Sequence, residues 1–98
     1  MSATTIPQID SRYVSHRRVG KYVIILYFNL EIILENMSVD IWELIDGVRS
    51  TYDISAILAS KYNVPIDQIE KTVIDFVLKF FQTRVLIDIS KVVKESSS

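Results

Sequence analysis

The apolar pattern of this chain changes its period near Asn36, and that change fixes the order of its elements. Before it, residues 12–35 are rich in Val, Ile, Tyr and Phe and are interrupted twice, at Gly20-Lys21 and at Phe28-Asn29-Leu30. Short β-branched and aromatic runs bounded by turn residues read as strands. Three strands are therefore predicted, over residues 13–18, 22–27 and 31–35, joined as a meander, with Asn29 taking the left-handed turn conformation. After Asn36, Met37, Ile41, Leu44 and Ile45 fall on one stripe at helical spacing. Helix one is expected to be capped by Asn36 or Ser38 and to end at Asp46-Gly47. Helix two runs from a cap at Asp53 through Ile54, Ile57 and Leu58 to Tyr62. Pro65 opens helix three, which extends to about Arg84, with Asp67 and Glu70 near its positive end and Arg84 near its negative end. Residues 85–89 read as a return strand or wing. The predicted class is α+β and winged helix-turn-helix-like, a three-stranded antiparallel sheet followed by three helices.

With 98 residues, 49% of them hydrophobic, the chain has the size and apolar content of one domain with its own core. Residues 1–11 are polar around Pro7 and are expected to be flexible, as is the tail over residues 90–98, which leaves residues 12–89 as the domain. The net charge of −1 lacks the basic excess that phosphate binding uses, so no nucleic-acid partner is expected. With no Cys and the single His16, neither a multi-histidine zinc site nor a thiolate nucleophile can be built, and no catalytic residue, metal or cofactor is predicted. His16, beside Arg17 and Arg18, is expected to be solvated. The longest apolar run, residues 22–28, falls far short of the roughly 18–20 residues of a membrane helix. No secretory pattern opens the chain, so the expected compartment is the cytoplasm.

Helix three carries a surplus. Counted at about 100° per residue from Ile69, the apolar residues Phe76, Phe80, Val73, Val77, Phe81, Ile74, Val85 and Leu78 cover an arc of roughly 200°, wider than the ~100° needed to face one core. Phe76 and Phe80 are assigned to the core, as is Trp42 on the inner stripe of helix one. The far flank of the arc needs a second partner. The polar arc holds Lys71, Asp75, Lys79 and Gln82, mixed in sign, which disfavours a DNA groove.

The stretch Leu34-Glu35-Asn36-Met37-Ser38-Val39-Asp40-Ile41-Trp42-Glu43-Leu44-Ile45-Asp46-Gly47 resembles the motif of the PqqD-like family, the peptide-binding domains called RiPP recognition elements. Asp53-Ile54-Ser55-Ala56-Ile57-Leu58 with Tyr62, residues 69–81, and Val85-Leu86 resemble the family's second helix, third helix and exit. One departure is that the family's Asn falls on Glu35 by spacing from Trp42, whereas here an Asn stands one place later, at Asn36. The resemblance implies a non-catalytic module that captures the leader of a ribosomally made precursor peptide and presents it to a radical enzyme, cyclase or leader protease. The leader is then expected to add as a strand along Glu31, Ile32, Ile33, Leu34 and Glu35, resting against Ile74, Val77, Leu78 and Phe81 of helix three. The alternative kept beside it is a winged-helix DNA-binding or transcription-associated domain. The second strand is apolar on both faces, which also admits a homodimer. Residues 1–30 carry four basic side chains against Asp10, and residues 31–60 six acids against Arg49. That asymmetry suits either an acidic leader or a solvated strand complementing acidic helix one.

Overall fold

The computed structural model describes residues 5–89. Its elements run β1 (Pro7–Ile9), β2 (Val14–Val19), β3 (Tyr22–Tyr27), β4 (Leu30–Leu34), α1 (Met37–Leu44), α2 (Thr51–Tyr62), α3 (Ile66–Gln82) and β5 (Leu86–Asp88). The predicted meander is the antiparallel sheet β2-β3-β4. Its first hairpin turns at Gly20, whose φ of 60° costs glycine nothing. In the second turn Phe28, not Asn29, takes the left-handed conformation, at φ 54°. The ring stacks on Tyr13, with centroids 5.6 Å apart, and meets Tyr27 edge-on at 4.7 Å. Those ring contacts offset part of the backbone strain.

The amino-terminal segment, residues 1–11, is expected to be flexible, yet within it residues 7–9 form a strand. Pro7, Gln8 and Ile9 pair antiparallel with Asp88, Ile87 and Leu86, so the returning strand closes a second, two-stranded sheet. A proline is tolerated there because neither strand is central. The Thr5 carbonyl accepts from the Thr51 N–H at 2.9 Å, and the Asp10 N–H donates to the Val85 carbonyl at 3.0 Å. Asp10 is nearly buried and accepts two hydrogen bonds from the Arg12 guanidinium, at 2.9 and 3.0 Å. The Arg12 bond holds the Asp10 carboxyl below its ordinary range. Residues 90–98, also expected to be flexible, lie outside the described residues.

The helices differ from expectation mainly at their ends. Asn36 precedes α1 with φ 58° and ψ −132° and its side chain caps nothing. The helix stops at Leu44 because Ile45 is extended, and Asp46 starts a turn, accepting the Val48 and Arg49 N–H groups at 2.9 Å. Those N–H bonds, Arg49's first, hold the Asp46 carboxyl below its usual range. The cap of α2 is Ser50; Asp53 sits three residues on and completes a capping box, with Ser50 Oγ accepting from the Asp53 N–H and the Asp53 carboxylate accepting from the Ser50 N–H. Helix α3 ends at Gln82, two residues short of Arg84, which turns left-handed at φ 65°.

Val23, Ile25 and Leu34 on the inner sheet face pack with Ile41 and Trp42 of α1, Ile54 and Leu58 of α2, and Val73, Val77 and Phe80 of α3. Trp42 is buried as expected and meets Phe80 at 6.2 Å. Its indole N–H donates to His16 Nδ1 at 3.2 Å, so His16, although exposed, satisfies the one polar atom of the largest core residue.

Asp40 ties α1 to α2, accepting from Lys61 Nζ at 3.0 Å and from the Tyr62 hydroxyl. Burial pushes its carboxyl up, but the bonds from Tyr62 and Lys61 outweigh it and hold it below the ordinary 3.8. The unfolded chain therefore binds this proton more readily, and the stability Asp40 contributes is present above that value and drains as pH falls through the lower folded one. Asp40→Asn is expected to cost at most about 1 kcal/mol at neutral pH and to flatten the acid limb of stability against pH, read by denaturant titration.

Candidate functional site

A three-stranded sheet has two open edges, and the sequence treats them differently. On β2 only Val14 is buried; Ser15, His16, Arg17, Arg18 and Val19 are exposed, and Arg18 forms an ion pair with Glu43 of α1. Consecutive charges on an edge discourage a further strand from pairing there. On β4 the residues are Leu30, Glu31, Ile32, Ile33 and Leu34, apolar apart from one carboxylate. The open edge with strand-forming, mainly apolar character is β4.

The alternation along β4 divides the predicted contact residues. Leu34 is buried and Ile32 half-buried, both packed into the core, while Ile33 is 59% exposed and lies opposite Ile24 on the outer face. Glu31 and Glu35 are exposed. Side chains therefore stand on both faces of this edge, with the backbone N–H and C=O groups between them.

On α3 the wide apolar arc divides in the same way. Ile69, Val73, Val77 and Phe80 are buried, and Phe76 is half-buried against Phe80 at 4.7 Å. Val77, expected among the contact residues, is instead a core residue: at about 80° from Ile69 it falls within the core half of the arc and is fully buried. Ile74 and Phe81, farther round, are half-buried, and Leu78 is 39% exposed.

Phe81 also lines a cleft of about 730 Å³ between the β3–β4 turn and the end of α3. Tyr13, Tyr27 and Phe28 form its aromatic wall, and Arg12, Arg84, Asp10 and Asp88 its polar rim. None of residues 31–35 lines it, but Tyr27 pairs with Leu30, the first residue of β4, so the cleft opens at one end of the strand edge. The sequence pattern does not assemble this group, because Phe28 falls in a turn break and Tyr13 at the start of a predicted strand. An aromatic residue placed in a tight turn, where Gly, Asn or Asp is usual, was the available signal. Among the described residues no cluster of three or more His, Asp or Glu could hold a metal ion, and no helix is long and apolar enough to cross a membrane.

Together these features define a small α+β domain built around an open, apolar strand edge. The sequence profile of coenzyme PQQ synthesis protein D, PqqD, matches residues 22–86, and the chain belongs to that family. A search of curated proteins finds no match. Two solved structures share the fold. One is the solution NMR structure of the PqqD truncation of Methylobacterium extorquens PqqCD, described as a functional, stand-alone RiPP recognition element. It is 24% identical, with a TM-score of 0.75 over 89% of this chain and 94% of that one. The other is TbiB1 in complex with the TbiA(beta) leader peptide, at 18% identity and a TM-score of 0.73, covering 81% of this chain and 93% of that one.

The division of the α3 arc has a direct consequence for stability. Val77→Ala and Phe80→Ala are expected to cost about 2–5 kcal/mol in chemical denaturation, whereas Leu78→Ala costs under about 1 kcal/mol. Equal losses at all three would place Leu78 in the core.

Proposed function

We propose that this protein is a stand-alone RiPP recognition element, binding the leader of a ribosomally made precursor peptide by strand addition to β4. The observation that carries the reading is the asymmetry of the two sheet edges, one charged and one apolar. An added strand gains a backbone ladder with β4, and its alternate side chains meet Ile33 on one face and the Ile74, Leu78 and Phe81 flank on the other. The family membership and the leader peptide bound by TbiB1 support the same reading. The chain acts by binding, in the cytoplasm, and hands the precursor to a separate modifying enzyme such as a radical enzyme, a cyclase or a leader protease. The DNA-binding alternative gains nothing from α3, whose exposed Asp67, Lys71, Asp75 and Lys79 would meet phosphate with repulsion as well as attraction.

Titration with leader segments of short precursors encoded beside the gene tests this. The expected outcome is saturable binding that varies little with salt, together with slowed amide exchange at residues 31–35. Leu78→Ala is expected to weaken binding by about 1–3 kcal/mol while leaving the chain folded. Unchanged exchange along β4 in the bound state, or a tight salt-sensitive DNA complex without peptide binding, would contradict the proposal.

A further inference from the structure

Two residues other than glycine hold left-handed backbone on opposite sides of one cleft. They are Phe28, at φ 54° in the β3–β4 turn, and Arg84, at φ 65° just past α3. Side chains bearing a Cβ rarely adopt this conformation, and where they do the surrounding structure holds them there, often at a ligand site. Neither side chain is accounted for by the core. Phe28 is 72% exposed, its ring propped against Tyr13 and Tyr27 rather than buried.

The charges around the cleft are equally uneven. Arg12 is taken up by Asp10 and lies over the Tyr13 ring, 5.2 Å from its centroid. Asp88 is likewise engaged. Among the described residues the Arg84 guanidinium has no hydrogen-bond or ion-pair partner, although it stands beside an aromatic wall. A free guanidinium next to exposed rings offers a planar fork to a carboxylate and an apolar surface to its neighbour.

We infer that this cleft is a specificity subsite for the bound peptide. It takes one aromatic or large aliphatic side chain against Phe28, Tyr27 and Phe81, with an adjacent acidic side chain held by Arg84. The inference rests on strand addition at β4, because the pairing of Tyr27 with Leu30 places the cleft where a peptide on that edge would enter or leave. Affinity comes from the ladder along β4, and selection among peptides comes from the cleft. A purely structural Arg84, serving the negative end of α3, would leave peptide choice untouched.

The test uses the full chain and a random-peptide display library as the probe. Selected peptides are expected to slow amide exchange at residues 31–35 and to share an aromatic or large aliphatic residue beside an acidic one. Arg84→Gly is expected to melt no lower than the parent, since glycine takes this φ without strain, yet to bind those peptides about tenfold more weakly. Phe28→Asn, which tolerates the turn but removes the ring, is expected to weaken binding similarly while circular dichroism stays that of the folded parent. Arg84→Glu should select basic residues in place of acidic ones. If the peptides protect β4 but bind Arg84→Gly and Phe28→Asn as tightly as the parent, the subsite is overturned and strand addition stands. If no selected peptide protects β4, the underlying reading fails as well.

Discussion

Everything in this domain follows from a three-stranded sheet that cannot cover its own inner face. Val23, Ile25 and Leu34 present an apolar surface that two-residue hairpin turns cannot close over, so the chain after Asn36 must fold back across it. Trp42 is the centre of that cover, packed on Phe80 of α3 and buried on every side. Full burial of an indole requires a partner for its N–H, and His16 from β2 supplies it. The same contact holds the outer strand of the sheet to α1. The ion pair of Arg18 with Glu43 adds a second tie between them.

These ties occupy one side of the sheet and leave the other free. β2 spends its charged side chains on α1 and on solvent, which protects its edge from strand pairing. β4 carries no comparable charge run, and among the described residues no strand pairs with its outer edge. α3 is committed to the core through Ile69, Val73, Val77 and Phe80, so Ile74, Leu78 and Phe81 form a half-exposed flank. β5, paired with β1, follows α3 directly and lines the cleft together with Arg84, Phe81 and the β3–β4 turn. A free edge and a cleft at its end are what remains after the core has been satisfied.

The order of elements was legible because it rests on periodicity, which burial enforces residue by residue. The change at Asn36 from period two to period 3.6 located the sheet and α1, and the wide arc of α3 announced that more than one core face was involved. The arc's division was legible only in part: angle alone did not say whether Val77, midway round, belonged to core or flank. The ends were harder. Asp53 and Ser50 both suit a cap, and only the backbone decides that Ser50 is outside the helix and Asp53 three residues in. Residues 7–9 looked like a flexible lead because three residues carry no period; their strand exists through pairing with residues nearly eighty positions away. The cleft was invisible for the same reason, since its walls come from four separate stretches of chain.

The central claim is that a peptide becomes the fourth strand of this sheet at β4. Isotope-filtered nuclear Overhauser spectroscopy on labelled protein saturated with an unlabelled bound peptide tests it most directly. The account requires cross-strand backbone contacts between the peptide and residues 31–34, in the alternating pattern of a β-ladder, with peptide side chains touching Leu78 and Phe81. Backbone contacts to β2 instead, or contacts to helices alone with β4 silent, would contradict it.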